Sequence, residues 1–263
     1  MLSETTIRLG AFFGIFAVMA LWEVAAPVRD RVAAKGRRWA TNWAISIANA
    51  GVTAVMKLGF SAAAVIAAQG ANQAGIGLFN QLGWPAWLEV VVVFLALDFA
   101  IWFQHLLSHK IPVLWRLHRV HHADRDIDVT TAIRFHPIEI ALSMLFKIAL
   151  VYALGAPVIA VILFEVVLNG SAMFNHANIG LGRAERWLRL AVVTPEMHRV
   201  HHSVHRHEHD ANYGFNLSIW DRLFRTYVAE PEGGERGMTI GLSEHQDDAP
   251  TRLGWSLAFP FKR

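Results

Sequence analysis

The sequence predicts an all-α integral membrane protein, a helical bundle of about four transmembrane spans or hairpins topped by a cytosolic, histidine-rich dimetal cap. Three observations predict it. Apolar residues make up 54% of the 263 positions and charged residues only 17%, too little charge to cover a water-facing surface. The apolar residues fall in long runs that are almost free of charge. Histidine, present 14 times, recurs at the three- and four-residue spacings that line one side of a helix.

The first apolar run, Leu9 to Ala26, lacks a strong basic leader and further spans follow it, so it is expected to be a retained anchor. The second run covers 43–69, and the third covers 85–107 with its apolar core at Leu88–Phe103. The fourth, 140–169, is longer than one ~30 Å crossing needs at ~1.5 Å per residue. Gly155-Ala-Pro157 interrupts it, so two half-length helices are expected, as a hairpin that enters and leaves on one side. Between the first two runs lie Arg29, Arg31, Lys35, Arg37 and Arg38 against only Asp30, which places that loop in the cytoplasm. The loop at 70–83 carries no charge and suits the opposite side. The third run then returns to the cytoplasm where the histidines begin, and segments 108–139 and 176–263 form the cap. Residues 229–250 read as an irregular, solvated tail. The chain therefore divides into N-terminal helices with a basic loop at 1–84, a histidine-bearing domain at 85–228 and a C-terminal tail at 229–263.

The absence of cysteine excludes disulfides, thiolate zinc sites, iron–sulfur clusters and thiolate-ligated haem built by this chain. Any metal is then held by nitrogen or oxygen. The net charge of +3 gives no sign of nucleic-acid binding, and basic residues beside anionic headgroups are its simpler use.

His105 and His109 are four residues apart at the end of the third run. The pentapeptide HRVHH follows at 118–122 and returns at 198–202. In each copy the first histidine pairs with the others at i+3 and i+4, so His118, His121 and His122, and likewise His198, His201 and His202, gather on one helix stripe. His136, before Pro137, and His176, in FNHANI, complete a set of candidate ligands large enough for two ions of coordination number about five. Neutral imidazole suits iron, zinc, copper and nickel alike. His205, His207 and His209 are two apart, share no helix face and are expected to be solvated, as is His245 in the polar tail. A metal transport or storage protein, or a zinc-stabilised scaffold, would use the same side chains. A transporter, however, needs its ligands near the membrane midplane, whereas these begin at the end of a span.

The order HxxxH, HxxHH, HP, NH, HxxHH resembles the fatty acid hydroxylase superfamily, the sterol desaturase-like membrane di-iron enzymes. Asp98 and Trp102 before the first pair, the segment TPEMHRVHHS, and DANYGFNLSIWDRLFRTY at 210–227 carry the same resemblance, which spans roughly 85–228. One departure is Arg225, where the pattern has glycine (WDRLFGTY), and it bears on a turn rather than on the ligands.

The resemblance implies an O₂-dependent oxidoreductase that uses external electrons to hydroxylate or desaturate a C–H bond of a membrane lipid, be it sterol, fatty acyl chain or ether lipid. It implies two iron ions, replaceable by zinc during purification, held by His105, His109, His118, His121, His122, His136, His176, His198, His201 and His202. The chain has no haem, flavin or iron–sulfur motif, so a separate ferredoxin, cytochrome or flavoprotein reductase is the expected electron donor. Arg119, Arg199 and Arg206 are candidates for its docking face. Carboxylates that accept the second N–H of each imidazole should orient the rings. Asp98, Asp124, Asp128, Glu139 and Asp210 are candidates, with Asp210 foremost, while Trp220-Asp221-Arg222 reads as an amphipathic structural stretch. The short chain is similar to bacterial members, which implies an inner-membrane protein with its histidines facing the cytoplasm.

Overall fold

The computed structural model describes residues 4–60 and 64–262, and among these residues the regular elements are helices, joined by two isolated β-bridges. Helices α1 (Glu4–Ala25), α2 (Lys35–Phe60), α3 (Ala64–Ala74) and the single turn α4 (Phe79–Leu82) lead to α5 (Ala86–Lys110) and α6 (Pro112–His122). A buried loop precedes α7 (Pro137–Leu154) and α8 (Val158–His176). Short helices complete the chain: α9 (Glu185–Leu188), α10 (Pro195–His201), α11 (Arg206–His209), α12 (Ile219–Leu223), α13 (Gly234–Gly237) and α14 (Leu253–Ala258).

Proline and glycine punctuate this path. Pro85 caps α5, and Pro112, Pro137 and Pro195 occupy the first turns of α6, α7 and α10, where a missing N–H costs nothing. Helix α7 ends at Gly155 with φ +62°, a left-handed conformation that glycine adopts without strain. Gly77, at φ +101°, lies against that turn so closely that a Cβ on it would sit 2.1 Å from the Gly155 nitrogen.

Among the described residues, four helices are long and apolar enough to cross a membrane: α1 from Thr6 onward, α5, α7 and α8. The protein is a membrane protein of the helical-bundle class. Residues 140–169 do not form two half-length helices. They lie within α7 and α8, of 18 and 19 residues, which take in the polar ends that the apolar run leaves out. The turn falls at Gly155–Pro157 as expected, and α7 leaves the histidine end while α8 returns to it. The second expected span, 43–69, is divided between α2 and α3, with residues 61–63 outside the described residues, and neither helix is among the four.

Helix α3 packs against α7 and α8 through small residues, with Ala64, Ala67, Ala68 and Ala71 buried. In lipid such close backbone approach, rather than the hydrophobic effect, holds helices together. Glu165 of α8 accepts from Lys147 of α7 at 2.7 Å and from Arg8 of α1, joining three spans by one charged cluster.

The cap is held by buried arginines. Arg38, counted above in a basic loop, is 0% exposed and bonds Asp124 at 2.6 and 2.9 Å and Asp128 at 2.8 Å. Arg134 donates to the Val120 carbonyl at 2.9 Å, Asn42 Oδ1 at 2.7 Å, the Pro250 carbonyl at 2.8 Å and Ser256 Oγ at 2.9 Å. Arg199, expected on a docking face, is buried between the Ile179 carbonyl and Glu235. Residues 229–250 are not a solvated tail either. Met238, Ile240, Leu242 and Ala249 are buried, and Ile240 bridges to Ser203. These apolar side chains are sparse in sequence but meet the cap.

Candidate metal centre

The two copies of HRVHH lie on α6 and at the end of α10, and each divides its histidines between two groups. One ring nitrogen from each of His105, His109, His118, His122 and His201 lies within 4.8 Å of the others. The same holds for His121, His176, His198 and His202. The first copy thus sends its first and last histidines to one group and its middle one to the other, and the second copy does the reverse. Helix α5 completes the first group and the end of α8 completes the second. The groups share a wall, where the His122 and His202 rings stack with centroids 4.6 Å apart.

Neighbouring carbonyls and one carboxylate fix which nitrogen carries the proton. His105 Nδ1–H donates to the Tyr213 carbonyl at 2.7 Å, His201 Nδ1–H to that of Ala211 at 2.7 Å, and His176 Nδ1–H to that of Ala172 at 2.6 Å. His118 Nδ1–H donates to Glu139 Oε1 at 2.6 Å. These bonds leave each Nε2 with a lone pair. Yet His105 Nε2 faces His118 Nε2 at 3.0 Å, lone pair to lone pair, an arrangement that is unfavourable unless a cation lies between them. His201 Nε2 and both nitrogens of His109 are buried with no hydrogen-bond partner among the described residues, as are the Nδ1 atoms of His121, His122, His198 and His202. Burial, and after it the neighbouring rings, push His121, His122, His198, His201 and His202 well below the ordinary imidazole value. These five rings are therefore neutral near pH 7.

Nitrogens bound to one metal at ~2.0–2.1 Å stand at most roughly 4 Å apart, so both groups are close to coordination size. Uncharged, crowded imidazoles with unshared lone pairs fit a first-row divalent metal, without naming which one.

The remaining expected residues are placed as follows. His136 is in neither group: its Nδ1 accepts from the Ile138 N–H at 3.2 Å as the N-cap of α7, and its Nε2 meets the Leu257 carbonyl at 3.2 Å. Asp210 Oδ1 stands 3.5 Å from His109 Nδ1, and its other oxygen is 3.0 Å from Lys110 Nζ. Asp98 holds Trp220 Nε1 at 2.8 Å and no imidazole, while Asp124 and Asp128 serve Arg38. Asp221 of the WDRLF stretch is buried and accepts from Trp102 Nε1, Thr226 Oγ1 and the N–H groups of Tyr213 and Gly214. His209 is not solvated but stacks on Trp115 with centroids 5.4 Å apart. Three contributors escaped the sequence reading. Phe135 stacks on His121 at 4.2 Å, Tyr213 buries its hydroxyl beside His109, and Asn49 reaches the Phe135 carbonyl at 2.9 Å. Only Asn49 left a signal, an amide within an apolar run.

A cavity of about 300 Å³ lies between the spans and the centre. His105, His118 and Glu139 line one end and Lys147 the other, with Phe12, Ile140 and Met144 between them. From Glu139 to Lys147 is roughly 12 Å along α7.

Comparison with known proteins agrees with this architecture. An ornithine lipid hydroxylase from Rhizobium tropici is 36% identical over 152 residues, 56% of this chain and 44% of that protein. The alkylglycerol monooxygenase of Xenopus tropicalis is 33% identical over 156 residues, 59% of this chain and 33% of that protein. The human alkylglycerol monooxygenase is 33% identical over 162 residues, 62% and 35%. The matched part thus spans less than half the length of each of these relatives. No solved structure matches the chain. The sequence profile described as fatty acid hydroxylase matches residues 90–226, which runs from α5 through both histidine groups to Thr226, and the chain belongs to that family.

Proposed function

We propose that this chain is a membrane-bound, O₂-dependent lipid oxygenase, in which His105, His109, His118, His122 and His201 hold one iron ion and His121, His176, His198 and His202 hold a second. The observation that carries the reading is the shared wall: His105 and His118 belong to the first histidine group and also line the lipid-level cavity. A metal-handling protein or zinc scaffold would account for the histidines but not for that cavity. The relatives' names, an ornithine lipid hydroxylase and alkylglycerol monooxygenases, support hydroxylation of a polar lipid.

Iron bound there supplies O₂ activation and removal of hydrogen from an unactivated C–H bond, with electrons from a separate ferredoxin, cytochrome or flavoprotein reductase. The chain's own residues do the rest. Glu139 and the carbonyls of Tyr213, Ala211 and Ala172 hold four rings in one tautomer. Phe135, flat against His121, keeps water from that ring. The cavity aligns an alkyl chain with α7 so that one carbon lies beside His105 and His118. Arg29 and Arg31 between α1 and α2, with Lys35 and Arg37 in the first turn of α2, lie at the histidine end, which supports a cytoplasmic centre, and the Rhizobium relative supports a bacterial inner membrane.

The test combines metal analysis and Mössbauer spectroscopy on protein from iron-enriched medium with lipid analysis under isotopically labelled O₂. About two iron ions per chain as a coupled pair, and label in a lipid hydroxyl, are expected. His121→Ala and His201→Ala abolish turnover, whereas His245→Ala, whose ring packs on Trp255 and Phe259, retains it. Lipid oxidation that persists without O₂, or turnover retained in either cluster variant, would overturn the assignment.

A further inference from the structure

Two hydrogen-bond acceptors on the wall of the cavity, both beside the centre, have no partner among the described residues. Asn49 of α2 donates its Nδ2–H to the Phe135 carbonyl at 2.9 Å, which fixes the amide's orientation and leaves Oδ1 buried and unpaired. Glu139 accepts from His118 through Oε1, and its Oε2 is likewise buried and unpaired. Phe135 is four residues from Glu139, and its ring lies 4.2 Å from that of His121 and 6.1 Å from that of His118, so both acceptors sit at the level of the histidines. The opposite end of the cavity is different. There Lys147 is already satisfied by Glu165 at 2.7 Å, and the wall between is largely apolar, with Ile140 and Met144 on α7.

An unpaired buried acceptor destabilises a fold unless something supplies its missing donor. Two of them on one cavity wall, next to the metal-binding rings, point to an occupant that brings a donor to that place. We propose that the cavity takes a lipid bearing a hydroxyl or amide N–H close to the carbon that is oxidised, with Asn49 and Glu139 as the acceptors that select it. The alkyl chain runs away from the centre along α7 toward Lys147. The preferred site of oxidation is then next to a lipid's polar group rather than at the end of a hydrocarbon tail. This inference rests on the oxygenase reading only for calling the occupant a substrate, since the acceptors exist whatever the chemistry.

The experiment measures equilibrium binding of three synthetic amphiphiles to the iron-loaded protein in nanodiscs. They are hexadecylglycerol, its analogue with both hydroxyls replaced by fluorine, and hexadecanamide. Fluorine has nearly the size of a hydroxyl but donates nothing. Hexadecylglycerol, hexadecanamide or both are expected to bind at least about tenfold more tightly than the fluorinated lipid, and the two donors tell hydroxyl from amide. In Asn49→Leu, with metal content and melting temperature unchanged, that advantage falls to about threefold or less. Equal binding of all three lipids to the wild-type protein overturns the proposal, with no variant needed. Turnover is scored separately. Oxidation of every lipid alongside equal binding sinks the donor requirement and leaves the oxygenase standing. A tenfold preference with no turnover of any lipid when O₂ and a reducing system are both supplied sinks the oxygenase and leaves the donor requirement standing.

Discussion

A neutral imidazole carries one proton, and the group that accepts it decides whether the ring can face a metal. Glu139 does this for His118 at 2.6 Å, whereas Asp210, the carboxylate favoured from sequence, stands 3.5 Å from His109 Nδ1 and makes no hydrogen bond to it. Proximity in sequence to the last cluster suggested Asp210, whereas Glu139 meets His118 only because α7 folds back beside α6. Replacing Glu139 with alanine lowers metal affinity roughly 10–100-fold, measured by competition with a chelator. Asp210→Ala has the smaller effect in the same assay. His136 illustrates the reverse error: a histidine before proline looked like a ligand, yet the same pair is a good helix start, and its ring caps α7. Arg225 was legible as an exception. The family pattern has glycine there, and the backbone does adopt φ +59°, at a cost of about 1–2 kcal/mol for a residue with a Cβ. Arg225→Gly therefore gains about 1 kcal/mol after the added chain entropy is subtracted, read as a higher melting temperature. A lower one shows that the side chain outweighs the strain.

Among the elements, Gly155-Ala-Pro157 marked the turn between α7 and α8 correctly, because the backbone limits of glycine and proline act locally. The division of 43–69 into α2 and α3 was hidden, since an apolar run gives length without showing where a chain bends. The histidine spacing revealed which helices carry the clustered imidazoles. It did not reveal the split into two groups, because positions i+3 and i+4 part only when a second helix faces them. Helix α2 owes its position to Arg38. Burial alone would raise the Asp124 carboxyl and lower the guanidinium, but their mutual charge overrides both and holds Asp124 at about 2, against an ordinary value of 3.8. Asp128 is held down in the same way. A folded value below the unfolded one adds stability that is complete above the unfolded value and is lost as pH falls through the folded one. For Asp124 this is about 2 kcal/mol, lost between pH 3.8 and about 2. Melting of the detergent-solubilised protein should show this acid limb, and Arg38→Met should remove it. An unchanged limb in that variant would assign the acid sensitivity elsewhere.

For the molecule as a whole, the sequence conveyed the membrane class and the helical bundle, because composition and apolar runs report on solvent. It did not convey that residues 229–262 close the cap, since contacts made by a few scattered apolar side chains have no period to detect. Arg134 takes two of its acceptors, the Pro250 carbonyl and Ser256 Oγ, from that segment. Removing residues 249–263 leaves a buried guanidinium short of partners, which should cost roughly 3–5 kcal/mol and expose the cap to limited proteolysis. Undiminished protease resistance would mean the segment is dispensable.

The path of α7 and α8 also sets a timetable for assembly. While the chain is being made, His105, His109, His118 and His122 emerge first, four of the five nitrogens of one group, together with His121, one of the four of the other. The missing ones come after a hairpin that must first leave and return. Neither group is complete until that return, so the full set of imidazoles exists only once the α7–α8 hairpin is in place.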